Sequence, residues 1–332
     1  MRRLILALPL LAILFLSGCV ISPNLSATSG STTSGTGVGH LYVSQQSNNE
    51  IVIFSNATGD NGTGLTPVAI ITGLANPQYI FSDAANDRLY VANQGGPNIL
   101  VFDSVSTLTG TASVVPTRTI SYTNIASPTD VALDTSQDVL YVADSGQIFV
   151  FPGASGINGT VTSNFNIITP QFTPSALHVD SGVNTLFAAN SSGGAVNAYT
   201  NASNLSGTPN TGSFNSLTGL SQPSGLQIDP AGRLIVSNTG AASIDIFSNA
   251  TDLIGDITPT AIINGSPLQD PAQLAIDPTT NSGELYVADT TAGEIIVYTS
   301  ITTATGSLTG AQPSRTIGGL TTPRGVAIDT SH

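Results

Sequence analysis

Two short phrases recur along this chain in strict alternation, and their alternation dictates the architecture. The first is built on Pro-x-x-φ-x-φ-Asp, with φ apolar or aromatic, and begins at Pro77, Pro128, Pro174, Pro223, Pro271 and Pro323. The second, Leu-φ-φ-Ala/Ser followed by Asp, Asn or Gln, begins at Leu41, Leu89, Leu140, Leu186, Leu234 and Leu285. The two sets are out of step at the ends. Leu41 has no Pro phrase before it, and Pro323 has no Leu phrase after it. The orphans match if the C-terminal strand closes a ring onto the N-terminal unit.

Each unit of roughly 46–52 residues parses into four short strands. In the copy from Pro128, Val131 and Leu133 share one face while Asp130 and Ala132 share the other, because strand side chains alternate. Asp134 to Asp138 form a tight turn of turn-forming residues, and Leu140 to Ala143 make a second strand. A third strand follows at Ile51, Ile99, Ile148, Val196, Ile244 and Ile295. The fourth is less regular and opens on Pro67, Pro116, Pro259 and Pro313 in four copies. Proline lacks the N–H that a ladder needs, so this strand is expected at an exposed outer edge. On the second face of the innermost strand, Ala132, Gly225, Ala275, Gly325 and Ala327 are small enough for crowding at an axis. Short strands, no helical periodicity and a four-strand period predict an all-β, six-bladed β-propeller with four antiparallel strands per blade.

Pro323-Arg-Gly-Val-Ala-Ile-Asp329 and Leu140-Tyr-Val-Ala-Asp144, together with the Ile-x-Val-Phe third strand, resemble the NHL-repeat propellers and the related YVTN-type surface propellers. The resemblance covers residues 40–332 and implies the fold. It does not choose a function, because such propellers serve both as partner-binding scaffolds and as enzymes.

Residues 1–18 read as an export signal: Arg2 and Arg3, an apolar run from Leu4 to Phe15, then Leu16-Ser17-Gly18-Cys19. The run is too short to span a bilayer. The last four residues resemble the lipobox of bacterial lipoproteins, which implies a lipidated Cys19 and an anchor at the periplasmic side or surface of the outer membrane; a plain secretory signal is the simpler alternative. Residues 19–39 are then a Ser/Thr/Gly tether with little to bury. Cys19 is the only cysteine, so no disulfide holds the domain.

Only 8% of the residues are charged, against about 25% in typical soluble domains. All seven basic residues are arginine, and twenty acids oppose them. Sequence-independent nucleic-acid binding needs clustered cations to displace counterions, which excludes that partner class. The same shortage of cations predicts few ion-paired carboxylates, hence a melting temperature that changes little between neutral and mildly acidic pH.

Propellers commonly work on the face where the innermost strands begin. That face is expected to present Gln78, Tyr79, Thr129, Asp130, Ser175, Ser224 and Arg324, with a ring of Gln45, Asn93, Asp144, Asn190, Asn238 and Asp289. Capping of turn backbone explains such a ring without any ligand. The Asp set at the opposite rim (Asp83, Asp134, Asp180, Asp229, Asp277, Asp329) reads as structural. Tyr79, Asp130, His178, Gln227, Gln273 and Arg324 stand out because sister copies have small residues there, and a buried polar group needs a partner. The candidate ligand-binding residues are therefore Tyr79, Asp130, Asp144, His178, Asp289 and Arg324, with no catalytic residue and no metal ligand assigned. Gly-x-Ser-x-Gly, His-Glu-x-x-His and calcium-loop motifs are absent.

The leading expectation is a monomeric cell-envelope lipoprotein whose propeller binds a small ligand or an envelope protein without catalysis or cofactor. The alternative is a lactonase-like metal-dependent hydrolase, with a divalent cation such as Ca²⁺ held at the channel mouth by Asp130, Asp144, Asn190 and Asn238.

Overall fold

Each phrase becomes a strand, and the strands assemble blade by blade as the repeat implies. The computed structural model describes residues 33–34 and 38–332, apart from 97, 163–164, 210–213, 278 and 280–282. Residues 1–18, expected to be an export signal, and Cys19 lie outside the described residues. Six sheets form an all-β, six-bladed propeller. Blade three runs outward as Asp130–Asp134, Val139–Asp144, Gln147–Pro152 and Asn166–Ile168, each strand antiparallel to the last. The other innermost strands are Pro323–Asp329, Pro77–Asp83, Ala176–Asp180, Pro223–Ile228 and Pro271–Asp277, in blades one, two, four, five and six. No helix among the described residues is long and apolar enough to cross a membrane.

The core lies between the blades. All of Val139–Asp144 is buried, and alternation sends its side chains to two neighbours. Leu140 and Val142 pack with Tyr90, Ile99 and Val101 of blade two. Tyr141 and Ala143 join Leu177, Leu186 and Tyr199 of blade four. Each buried aliphatic or Phe side chain contributes roughly 1.5–3 kcal/mol. The small inner-strand residues answer to crowding as expected: a Cβ on Gly325 would lie 2.7 Å from the Gln78 carbonyl of the next blade.

The ring closes through strand Pro323–Asp329, which pairs with His40–Gln45 and places Val326 opposite Val43. A relay of hydrogen bonds then runs once round the axis. Thr129, Ser175, Ser224 and Thr290 hydroxyls donate to the carbonyls of Pro174, Pro223, Pro271 and Pro323, one blade onward each time, at 3.3, 2.8, 2.8 and 3.0 Å. Ser44 donates to Gln78 O at 2.6 Å, and the Tyr79 N–H reaches Thr129 O at 3.3 Å, completing the circuit.

The outer rim departs from expectation. The fourth strand is not the exposed edge, because in five blades a short strand from the next blade pairs with it in parallel, and in blade three Gly207 of blade four makes an isolated parallel bridge to Ile168. Gly110–Ala112 lies on Ala69–Ile71, and Gly306–Thr309 on Ala261–Asn264. Pro67 and Pro259 sit just before their strands and remove no ladder bond there. In blade six the added strand, Asp60–Thr63, is itself covered by Thr33–Ser34 from the tether. Arginines tie the blades as well. Arg118 of blade two donates to Ala154 O of blade three at 2.9 Å, and Arg233 of blade five donates to Ala304 O of blade six at 3.3 Å.

Candidate functional site

The ladders of blades one, two, five and six shift register where the innermost strand begins. An unpaired residue in a strand is free to be re-aimed, and the shifts fall on Arg324, on Gln78 and Tyr79, on Ser224, and on Ala272 and Gln273. Of these, Gln78, Tyr79, Gln273 and Arg324 line the mouth and bore of the central channel. Tyr79 bars the bore: its hydroxyl donates to Ser224 O of the opposite blade at 2.7 Å. Burial pushes its pKa up to about 12, with Arg324 opposing.

Below Tyr79 lies a cavity of about 160 Å³, lined in part by Asp130, His178, Gln227 and Gln273. The polar residues here grip neighbouring inner strands. Asp130 accepts from Leu177 N of blade four at 2.6 Å and from Val131 N at 2.7 Å. Gln273 accepts from Val326 N of blade one and exchanges two bonds with Ile80 of blade two. Gln227 donates to Leu274 O of blade six at 3.3 Å. These amides and the carboxylate bridge inner strands that share no ladder.

Burial acts on the two titratable groups in opposite senses. It raises Asp130 well above the ordinary carboxylate range, against the two N–H groups. It lowers His178 to about 4, against the pull of Asp180. As pH falls from about 6.5 toward about 4, the unfolded chain takes up a proton at His178 that the fold refuses, so stability is lost by up to about 1.4 kcal/mol per pH unit. Asp130 behaves oppositely, since the fold holds its proton more tightly than the unfolded chain. Burial likewise raises Asp60, Asp245 and Glu294. The acid response therefore depends on groups that act in opposite senses, and not only on the scarcity of ion pairs. Relative to wild type, Asp130→Asn should make melting fall more steeply on acidification, and His178→Gln should make it fall less or rise. Thermal melts at about pH 7, 6 and 5 check this, and three parallel profiles would refute it.

Above Tyr79 the mouth widens into a pocket of about 630 Å³, a size that suits a small ligand. Gln46, Gln78, Gln94, Thr129, Ser175 and Gln222 contribute to its walls, and Arg324 is the only charged residue lining it. The other four arginines of the propeller are engaged. Arg88 pairs with Asp103, Arg118 with Asp103, Arg233 with Asp229 and Arg315 with Glu284. Arg324 lies 5.7 Å from the Tyr79 ring centroid, a cation–π contact, and its Nε is buried without a partner. No ion pair holds it among the described residues.

Of the six candidate residues, the structure brings Tyr79 and Arg324 together in this pocket. Asp130 and His178 lie below the Tyr79 bar. Asp144 spends both oxygens on Ala126 N and Ser127 N at 2.6 and 2.9 Å, and Asp289 holds Gln269, Asp270 and Ala292 N–H groups. Both caps order the loop leading into the same blade's innermost strand. Gln46, Gln94 and Gln222 were not singled out by sequence. Register could have found them, since each adjoins a phrase: Gln46 and Gln94 follow the polar ring, and Gln222 precedes Pro223.

No protein-family model and no curated protein matches the chain. Solved structures do, at the level of fold. A chain of the nidogen/laminin complex superposes with a TM-score of 0.61 at 14% identity, over 88% of this chain and 99% of that one. A functionally unknown protein from Desulfotomaculum acetoxidans gives 0.59 at 12% identity, over 89% and 100%. A protein of unknown function from Bacteroides caccae gives 0.59 at 12%, over 88% and 98%. At such identities the likeness is one of fold, and it extends round the whole propeller.

Proposed function

We propose that this chain is an exported binding scaffold whose channel mouth receives a small polar ligand bearing a carboxylate. One observation carries the reading: Arg324 is the only propeller arginine without an ion pair among the described residues, and it lines an otherwise neutral pocket of amides and hydroxyls. A guanidinium presents paired N–H donors that match a carboxylate. The glutamines and hydroxyls beside it suit the rest of a polar ligand. A scaffold role also fits a channel whose carboxylates and amides are committed to joining blades. The lipobox-like Leu16-Ser17-Gly18-Cys19 supports an anchor at the envelope surface through a lipid on Cys19, with residues 19–39 as the spacer.

Ligand-observed NMR with a panel of mono- and dicarboxylates and sugar acids tests the site. At least one member should bind wild type, and Arg324→Ala should weaken it by roughly tenfold or more, as expected for loss of a charge-assisted pair worth about 1.5–3 kcal/mol. Arg324→Gln should lose as much, since it keeps polarity without charge. Equal binding to wild type and both variants would overturn the assignment.

A further inference from the structure

Far from the mouth, where Asp329 ends the closing strand, the ring seam gathers an unusual set of groups. Asp87, Asp329 and His332 each offer one ligand atom, all within 4.8 Å of one another. It is the only such cluster of three His, Cys, Asp or Glu side chains among the described residues. The three come from separate places: Asp329 from the innermost strand of blade one, His332 just beyond it, and Asp87 from the turn of blade two. His332 Nδ1 stands 2.9 Å from Asp329 Oδ2, and the His40 ring contacts the His332 carbonyl at 3.2 Å. His40 therefore fixes the tail that carries the imidazole.

A second observation is independent of the cluster. The Tyr42 hydroxyl is fully buried and, among the described residues, has no hydrogen-bond partner. After burial, Asp329 and Asp87 are the groups that raise its pKa most, so both carboxylates lie in its neighbourhood. Sister blades show what such a hydroxyl meets elsewhere. Tyr90 receives Arg118 at 3.5 Å and Tyr286 receives Arg315 at 3.0 Å. Blade one has Ala69 where those arginines stand, so this phenol and its carboxylates lack the cation that two other blades supply. Tyr141 is likewise unpartnered, beside Asp134, but no imidazole or second acid joins it among the described residues.

The geometry points to a divalent metal site at the seam, in which Asp87, Asp329 and His332 bind a Zn²⁺-type ion that clasps the closing strand to blade two. Mixed carboxylate and imidazole ligands favour such an ion over Ca²⁺ or Mg²⁺, which take oxygen alone. Each carboxylate retains lone pairs for it. Among the described residues, Asp87 oxygens accept only Ser106 N and Oγ, and Asp329 Oδ1 takes the Ser331 bonds, leaving Oδ2 for the imidazole or the metal. The site is separate from the mouth pocket, so the two proposals stand or fall independently.

Calorimetric titration of the metal-stripped full chain with ZnCl₂, CaCl₂ and MgCl₂ is the test. Zn²⁺ should bind at one site per chain and raise the melting temperature by several degrees, with Ca²⁺ and Mg²⁺ weaker by roughly tenfold or more. His332→Ala, an exposed change that leaves the propeller intact, should weaken Zn²⁺ by roughly tenfold or more, and so should Asp87→Asn. Asp134→Asn beside Tyr141 should leave the isotherm unchanged. Absence of Zn²⁺ binding, undiminished binding in both ligand variants, or equal binding of Ca²⁺ would overturn the site.

Discussion

A chain ending at Thr322 should not reach the native fold. Residues Pro323–Asp329 supply the whole innermost strand of blade one, and Val326 and Ala327 are 1% and 5% exposed. Their loss strips apolar partners from the two cores that flank this blade. It also removes hydrogen-bond partners along the seam, although Ser44 and Gln273 keep their bonds to Gln78 O and Ile80. Ser44 Oγ loses the Gly325 N–H, Gln273 loses Val326 N, and Thr290 loses the Pro323 carbonyl. The backbone groups of His40–Gln45 lose their ladder partners, each unsatisfied buried group costing about 1–3 kcal/mol, and the bared edge invites aggregation. Against a total stability of about 5–15 kcal/mol for a domain, the sum is prohibitive. Near-UV circular dichroism and sedimentation should show an unfolded or aggregated product. A chain ending at Thr330 should keep its native spectrum. Native packing in the shorter chain would mean that the ring does not depend on its closing strand.

Arg315→Ala should cost about 3–5 kcal/mol, the penalty for stranding a buried charge. The guanidinium holds Glu284 through two bonds of 2.8 and 2.9 Å, donates to Tyr286 Oη at 3.0 Å and reaches Ala57 O of blade one at 3.4 Å. The two side chains are only 14% and 10% exposed. Chemical denaturation should show the loss, and replacing both partners by apolar residues, Arg315→Met with Glu284→Leu, should restore most of it. The acid dependence follows from the same pair. Burial pushes Glu284 up, but Arg315 and Tyr286 outweigh it and hold the carboxyl below its ordinary value of 4.5. A depressed folded pKa gives stability that is full above about 4.5 and lost as pH falls through the folded value. The defect of the single variant should therefore shrink below about pH 4. A defect under about 1 kcal/mol at neutral pH would mean the pair behaves as an exposed bridge.

The fold was legible because its determinants are periodic. The unbroken apolar runs in Val139–Asp144 and its sisters state which strands are buried on two sides, and the unmatched Pro323 phrase states where the ring shuts. The fifth strands were not legible. Gly110–Ala112 and Gly306–Thr309 are Gly, Ser, Thr and Ala with one Leu, so no side-chain pattern marks them, and they pair through backbone alone. The mouth was half legible. Arg324 and Tyr79 announced themselves by breaking the repeat, and both line the pocket. Asp130 broke it equally, yet its carboxylate reaches the backbone of blade four instead of the mouth. Sequence marks a polar residue as unusual but does not say whether its partner is a ligand or a neighbouring amide. Thr129, Ser175 and Ser224 carry the same ambiguity, since a hydroxyl at a strand start suits a ligand as well as the next blade's carbonyl.

The strand exchange at the rim has a thermodynamic consequence. In an open array of repeats the terminal units have one neighbour and fray first. Here each blade is bonded to the next at the axis, by the relay, and again at the rim, by a parallel strand in five blades and by the Ile168–Gly207 bridge in blade three. A one-dimensional chain of coupled units without ends has no weakest terminus, so opening any blade breaks two interfaces at once. Amide exchange should reflect this. The slowest amides in the second strands of all six blades should open with nearly one common free energy, set by global unfolding, instead of grading from one end of the chain to the other.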